Sequence, residues 1–262
     1  MSLVNQNPTI SLSQRVQASE YSARALSLIG SVRDASDPFD LCALLLRACT
    51  ALGAHAGIYA HVVPEDERQC ATQLALACDP ALAYALAGSP PAGKALLEDP
   101  WLRYAAGHLE SIVASQLPFH PGGEERQALL DQHGFRSALL LPTQGGGNTG
   151  RFGLLCLGSN LEGDFEAPST HLCRVLAHSL AVELHEWWLT NSRTHLLRDA
   201  RLRSLDLKLL AMERDGLGTK QIARTLGISE DSINSRFQRI NAKLDSPNRK
   251  ASALRAATHG LL

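Results

Sequence analysis

A stretch of twenty residues near the C-terminus combines side chains of the types that can hydrogen-bond to nucleic-acid base edges with side chains that can neutralise phosphates. Its spacing is that of a helix-turn-helix. Ala223 is small where two helices cross closely, Gly227 follows a helical pattern where a left-handed backbone is needed, and Ile233 is placed to bury an apolar side chain. The stretch, residues 219–238, reads Thr-Lys-Gln-Ile-Ala-Arg-Thr-Leu-Gly-Ile-Ser-Glu-Asp-Ser-Ile-Asn-Ser-Arg-Phe-Gln.

The second helix of this motif is predicted to read the DNA major groove. Ser229 is its expected N-cap, and Glu230 and Asp231 in the first turn complement the helix dipole. Helical periodicity buries one stripe and leaves the opposite face for the groove. The buried stripe is Ile233, Phe237, Ile240 and Leu244; the outer face is Asp231, Ser235, Gln238, Arg239 and Ala242, flanked by Asn234 and Arg236.

Two kinds of DNA contact are expected from this module. Glutamine suits adenine, arginine suits guanine, and serine or asparagine suits several base edges, whereas lysine and arginine beside the groove hold phosphates. The alternative is an ordinary solvated helical face. The phosphate candidates are Lys220, Arg236, Lys243 and Arg249, and the whole predicted contact set is Thr219, Lys220, Ser232, Asn234, Ser235, Arg236, Gln238, Arg239, Lys243 and Arg249.

The distribution of charge supports a DNA-binding C-terminal part. From residue 201 onward the chain has twelve Lys and Arg against six Asp and Glu, whereas residues 1–200 have thirteen against twenty. The net charge of −1 therefore conceals a basic and an acidic part. With 262 residues, we expect a flexible tail (1–15), a ligand-binding or dimerisation domain (16–189), a linker (190–200) and a DNA-binding domain (201–262).

Several classes of protein are disfavoured by the composition. No apolar run approaches the ~18 residues of a membrane span, and the polar start does not resemble a signal peptide, so we expect a cytoplasmic protein with no membrane association. The six cysteines form no Cys-x-x-Cys pair, which favours buried free thiols over a metal or redox site. Neither Cys156 nor His133 has the partners of a catalytic site, and we expect no enzyme activity, cofactor or metal.

The N-terminal part alternates helical and β-prone segments, which predicts an α/β fold, an α-β-α sandwich of the sensor type. The glycine-rich segment 143–150 is expected to be a hairpin tip; a phosphate-binding loop is the weaker alternative because no helix follows it. The helix at 168–189 packs on the sheet or forms a dimer face. Predicted helices are 16–29, 41–52, 81–87, 99–108, 123–132 and 168–189, and predicted strands are 57–63, 72–77, 137–142 and 151–157.

The C-terminal residues resemble the DNA-binding domain of the LuxR family of bacterial transcription regulators. The resemblance implies an all-α, four-helix helix-turn-helix domain and a homodimer that binds a palindromic double-stranded DNA operator. Asp206 stands where the family usually has Glu, and Asn234 and Arg236 replace the common Lys and His. The matching residues are Gly216-Leu-Gly-Thr-Lys-Gln-Ile-Ala-Arg-Thr-Leu-Gly-Ile-Ser-Glu-Asp-Ser-Ile, Lys243-Leu and Asn248-Arg-Lys-Ala.

Two N-terminal segments resemble the autoinducer-binding domain of quorum-sensing members of this family. They are Glu98-Asp99-Pro100-Trp101 and His133-Gly-Phe-Arg-Ser-Ala-Leu-Leu-Leu-Pro142. The resemblance implies a small-molecule signal whose amide donates to the Asp99 carboxylate; the alternative role for Asp99 is helix capping. The ligand-site candidates are Asp99, Trp101, Tyr59, Tyr84 and Phe135, and the four aromatic residues are alternatively simple core.

The N-terminal segments also depart from the family pattern. Leu82, Leu86 and Ala114 stand where the family has the aromatic residues that clasp the lactone, and Ala138 replaces a glycine. A buried lactone carbonyl without a donor would cost about 1–3 kcal/mol. We therefore expect an orphan-like regulator without the usual lactone site, or alternatively a protein that sequesters other LuxR-type regulators in heterodimers.

Overall fold

A computed structural model describes residues 11–64, 70–88, 99–118, 124–145 and 150–262. The chain divides into two compact units, Met1–Trp187 and Trp188–Leu262. The first unit is built on a β-sheet and the second on helices. The predicted turn at 64–68 and the tip of the glycine-rich hairpin fall largely outside the described residues.

The N-terminal unit contains a five-stranded antiparallel sheet in the order β2-β1-β5-β4-β3. The two predicted hairpins are confirmed, since β1 pairs with β2 and β4 pairs with β5 along their lengths. β1 also pairs with β5, so that Tyr59 lies opposite Ala75 on one side and Leu155 on the other. The strands are β1 Ala56–Pro64, β2 Cys70–Ala77, β3 Ile112–Val113, β4 Ser137–Gln144 and β5 Phe152–Ser159.

Helices cover both faces of this sheet, which confirms the predicted α-β-α architecture. Three of the six predicted helices, those expected at 81–87, 99–108 and 123–132, are found within one residue of their expected bounds. Asp37 caps the second long helix by accepting from Phe39 N–H and Asp40 N–H, with Pro38 at its first position. The helices are α1 Leu12–Arg15, α2 Tyr21–Gly30, α3 Pro38–Leu52, α4 Pro80–Gly88, α5 Pro100–Gly107, α6 Glu124–Gln132 and α7 His171–Ala200.

The two faces of the sheet carry different chemistry because side chains alternate along a strand. Ile58 and Ala60 of β1 face an apolar cluster that includes Trp101 and Leu102 of α5. Tyr59, one residue along, faces the opposite side and contacts α7. We call these the Trp101 face and the Tyr59 face of the sheet.

Three predicted boundaries in residues 1–200 differ from the bounds that the structure gives. The tail was expected to reach residue 15, but Leu12 is buried and its N–H donates to Asp164 at 2.8 Å. The helix expected from Val16 begins only at Tyr21. The helix expected to end at Leu189 continues to Ala200 through the predicted linker, since residues 190–200 are polar but contain no Gly or Pro to interrupt a helix.

The C-terminal unit has the predicted four helices around one apolar core. Ile222, Ile233 and Phe237 of the helix-turn-helix pack with residues of the flanking helices and with Ala200. The bounds are α8 Ser204–Arg214, α9 Thr219–Leu226, α10 Glu230–Lys243 and α11 Arg249–Thr258.

Candidate nucleic-acid interface

The turn between α9 and α10 is fixed by glycine geometry and by a serine cap. Gly227 has φ +66°, the left-handed conformation that ends α9, and its N–H donates to the Ala223 carbonyl. Ser229 then caps α10 by accepting from the Ser232 N–H at 3.3 Å. The sequence features that predicted the helix-turn-helix therefore have the expected backbone roles.

The outer face of α10 carries exposed polar side chains. Ile233, Phe237 and Ile240 are buried on the inner side. Gln238 is exposed on the outer side and Asn234 is exposed at its flank, and the amide group of each offers both a donor and an acceptor. Together with Lys220 of α9, these exposed polar side chains form the candidate DNA-binding surface. Its members are Lys220, Asn234, Ser235, Gln238 and Arg239.

The remaining predicted contacts have partners inside the domain. Ser232 Oγ lies 2.8 Å from Ser229 Oγ. Arg249 donates to Thr219 Oγ1 at 2.9 Å, and its Nε lies 3.1 Å from a carboxylate oxygen of Glu213. The Arg249 guanidinium also lies 5.9 Å from the centre of the Phe237 ring. Arg249 and Thr219 therefore join α9, α8 and α11 in addition to any contact with DNA.

Asp206 organises the cations at the base of α10. Its carboxylate accepts from the Arg203 N–H at 3.0 Å, and Arg236 and Lys243 each lie 3.3 Å from one of its oxygens. Lys243 also donates to the Arg201 carbonyl at 2.9 Å. Burial raises the pKa of Asp206, but this backbone N–H and the two cations outweigh burial and hold the pKa below its ordinary value.

Sequence reasoning missed the roles of Asp206 and Glu213. The available signal was their spacing, since acidic residues seven apart lie on one face of a helix in an otherwise basic domain. Both side chains are buried, at 5% and 8% exposure. Buried carboxylates require partners, so their presence predicts that some neighbouring arginines and lysines form ion pairs within the domain.

On the Trp101 face, the structure brings three of the predicted ligand residues together. Asp99 caps α5 by accepting from Trp101 N–H at 2.8 Å and Leu102 N–H at 3.1 Å. Its other carboxylate oxygen lies 2.7 Å from Arg126, whose guanidinium lies 4.5 Å from the Trp101 ring centre. The Trp101 and Phe135 ring centres are 6.3 Å apart. Both oxygens of Asp99 are therefore already engaged within the protein.

The other two predicted ligand residues lie elsewhere. Tyr59 is fully buried, but strand alternation places it on the Tyr59 face, across the sheet from Trp101. Tyr84 is 82% exposed on α4. The structure therefore does not bring the four aromatic side chains together, because the sequence alone does not specify which face of the sheet each ring occupies.

A buried polar cluster occupies the Tyr59 face. The Tyr59 hydroxyl lies 3.0 Å from His185 Nδ1 on α7, and the His61 and His185 rings are 5.3 Å apart. The two histidines are 0% and 3% exposed. Burial, reinforced by nearby Arg151, lowers the pKa of His185 from 6.5 to about 4. His185 is therefore neutral in the folded protein at physiological pH.

The buried His185 predicts a loss of stability in mild acid. A histidine whose folded pKa is lowered binds its proton more readily when unfolded, so its destabilising effect grows as pH falls from about 6.5 towards 4. By pH 5 it amounts to about 2 kcal/mol. His185→Asn, which retains an acceptor for Tyr59, should show a flatter dependence of the unfolding free energy on pH in urea titrations. His178→Asn, at an exposed position of the same helix, should follow the wild type, and an unchanged slope in His185→Asn would contradict the assignment.

The described cysteines are free, and most have raised pKa values. Burial raises the pKa of Cys49 to about 12 and those of Cys78 and Cys173 to about 11. Thiols with such pKa values are protonated and poorly nucleophilic at neutral pH. Across the described residues, no three His, Cys, Asp or Glu side chains are grouped as metal ligands. Among the described helices, none has the length and apolar content needed to cross a bilayer.

Comparison with known proteins identifies the C-terminal domain. Residues 206–256 match the family model described as bacterial regulatory proteins, luxR family. The fold of the chain is similar to that in a crystal structure of Escherichia coli SdiA, with a TM-score of 0.66 and 15% sequence identity over 91% of this chain and 98% of that chain. A structure of SdiA in complex with octanoyl-rac-glycerol matches with a TM-score of 0.67 and 15% sequence identity, over 94% of this chain and 98% of that chain. A search of curated protein sequences found no match.

Proposed function

We propose that this chain, whose C-terminal domain is a luxR-family DNA-binding domain, is a sequence-specific transcription regulator of bacteria and not an enzyme. The observation that carries the proposal is the exposed polar face of α10, formed by Asn234, Ser235, Gln238 and Arg239, beside the exposed Lys220 of α9 in a domain with a net positive charge. Such a face offers hydrogen bonds to base edges and charges to phosphates. A regulator of this kind acts in the cytoplasm, where bacterial DNA lies.

The structure favours Asn234, Ser235, Gln238 and Arg239 as base readers. All four are exposed; Ser235, Gln238 and Arg239 lie on the side of α10 away from the buried Ile233 and Phe237, and Asn234 flanks that side. Lys220, at the start of α9, is exposed and suited to a phosphate. Arg236, Lys243 and Arg249 have partners within the domain, so their first role in this proposal is to hold α10 in position.

The phosphate role of Lys220 predicts a specific change in the salt dependence of DNA binding. Lys220→Ala should weaken binding of the full chain to duplexes of any sequence, and the slope of log K against log salt should fall by about 1. Fluorescence anisotropy at several salt concentrations measures this slope. Arg214→Ala is the matched control, because Arg214 is exposed at the end of α8 and contacts Asp215. Binding that is absent in the wild type, or equally weakened by both variants, would contradict the proposal.

The N-terminal domain is proposed to bind a small-molecule signal other than the usual acyl-homoserine lactone. Its fold resembles that of SdiA, one structure of which contains octanoyl-rac-glycerol. Both oxygens of Asp99 are occupied, one by backbone N–H groups and the other by Arg126, so a ligand amide would have to displace one of them. This supports a quorum-sensing-type domain with an altered ligand site.

We propose a homodimer because one recognition helix reads only half of a palindromic site. The N-terminal part of α7 offers an interface: Leu176, Leu180 and Leu184 are buried against the domain, whereas Leu172, Val175 and Val182 are exposed on the other side. Apolar residues at this spacing form a stripe along the helix. A second copy packing on this stripe would remove it from water.

The stripe predicts the effect of two charges on the oligomeric state. Val175→Glu combined with Val182→Glu should give a monomer in sedimentation velocity and reduce affinity for a two-half-site duplex about tenfold or more. Leu109→Glu, at an exposed apolar position elsewhere, is the control. A variant that remains dimeric would refute this interface. A wild type that pairs only with other LuxR-type chains would favour the alternative function of sequestering them.

A further inference from the structure

A cavity of about 480 Å³ lies between α2 and α3, outside the sites described above. α2 contributes Arg24, Ser27 and Leu28, and α3 contributes Leu46, Arg47 and Thr50. α3 packs on the Tyr59 face of the sheet, since Cys49 lies directly against Gly57, two residues before Tyr59 in β1. The cavity is therefore separate from the Trp101 face.

The charges of this cavity are unbalanced. Arg24 and Arg47 are exposed, none of the six lining residues is acidic, and neither guanidinium forms an ion pair with any residue in the described ranges. Arg33 and Arg126, in contrast, are each paired with a carboxylate. Residues 1–200 carry a net negative charge, so two unpaired arginines at one cavity form a local exception. Such a pair attracts an anion.

The remaining lining residues define the rest of the ligand. Leu28 and Leu46 are half-buried and give the cavity an apolar wall. Thr50 donates its hydroxyl proton to the Leu46 carbonyl at 2.9 Å, so its oxygen keeps acceptor capacity only. The volume lies within the range of small-molecule sites, about 300–1,000 Å³. A ligand that satisfies all of these groups has one anionic head and a short apolar body.

We propose that this cavity is a second small-molecule site that binds an amphiphilic carboxylate, with Arg24 and Arg47 holding the carboxylate and Leu28 and Leu46 contacting the alkyl chain. The site is independent of the DNA-binding face and of the proposed signal site on the Trp101 face. If this second site proves absent, the proposed function as a regulator is unaffected, because the experiment below measures ligand binding and not DNA binding.

Isothermal titration of the full chain with sodium decanoate tests this site. The double variant Arg24→Gln, Arg47→Gln should bind decanoate at least about tenfold more weakly than the wild type, because it loses both charged hydrogen bonds. Arg103→Gln combined with Arg193→Gln, at two other exposed arginines, is the matched control and should bind as the wild type does. Decanol and inorganic phosphate should each bind more weakly than decanoate, since one lacks the head charge and the other the chain.

Each outcome has a defined meaning. Decanoate binding that survives in the Arg24→Gln, Arg47→Gln variant would place the ligand elsewhere and overturn the proposal, as would the absence of binding in the wild type. Equal binding of phosphate and decanoate would overturn the role of Leu28 and Leu46. Thermal unfolding of both double variants checks that they are folded, and the exposure of all four arginines predicts little change.

Discussion

Asp206→Ala is expected to lower the unfolding free energy of the C-terminal domain by about 3 kcal/mol. The carboxylate is 5% exposed and joins the Arg203 N–H to Arg236 and Lys243 of α10. Removing it leaves a backbone donor and two cations without their partner, and the two cations are about one-third exposed, which limits the loss. Because α10 carries the proposed base readers, DNA affinity should fall with stability.

The effect of Asp206 should depend on pH in a defined direction. Its pKa is lowered in the folded protein, so the carboxylate stabilises the domain fully above the ordinary pKa of 3.8 and loses that effect as pH falls below it. In urea titrations at neutral pH, the free energy of unfolding should be lower for Asp206→Ala than for the wild type. The difference between the two free energies should become smaller in strong acid. Asp215→Ala, at an exposed carboxylate beside Arg214, is the control. Equal stability of Asp206→Ala and wild type at neutral pH would contradict the assigned role.

Gly153→Ala is expected to destabilise the N-terminal domain by about 3 kcal/mol. A Cβ at this position of β5 would collide with the Tyr59 hydroxyl and lie 2.5 Å from Thr143 Oγ1 and 2.9 Å from His185 Nδ1. Tyr59 and His185 belong to the buried polar cluster and Thr143 is buried beside them, so the methyl group must break the Tyr59–His185 hydrogen bond or move the strand. The expected result is a lower urea midpoint with an unchanged slope.

Gly107→Ala provides the matched control for this prediction. Gly107 ends α5, and a Cβ there meets no atom within 4 Å. It should therefore leave stability within about 0.5 kcal/mol of the wild type. A Gly153→Ala protein as stable as Gly107→Ala would show that the Tyr59 cluster tolerates a methyl group and is less tightly packed than its geometry indicates.

The helix-turn-helix was predictable because its constraints are local. Gly227, Ser229 and Ile233 lie within seven residues, and each backbone role follows from residue type and spacing. The two hairpins were predictable for a similar reason, since β-prone runs close in sequence pair with each other. These local signals determined the architecture of both units.

The side-chain arrangement of the sites depends on contacts that no local pattern contains. Asp206 is 30 and 37 residues from its partners Arg236 and Lys243. Tyr59 and Trp101 were assigned to one pocket, but they lie on opposite faces of the sheet, and the face of each depends on the register and packing of the whole sheet.

The most direct test of the central claim is selection of DNA sites from a random-sequence duplex pool by the full chain. The wild type should enrich two inverted half-sites whose centres lie about one helical turn, or a multiple of it, apart. Gln238→Ala or Arg239→Ala should change the preferred bases within each half-site, whereas Lys220→Ala should retain the same sequence with weaker binding. No enriched sequence in the wild type, or the same sequence in all four proteins, would contradict reading of DNA by the outer face of α10.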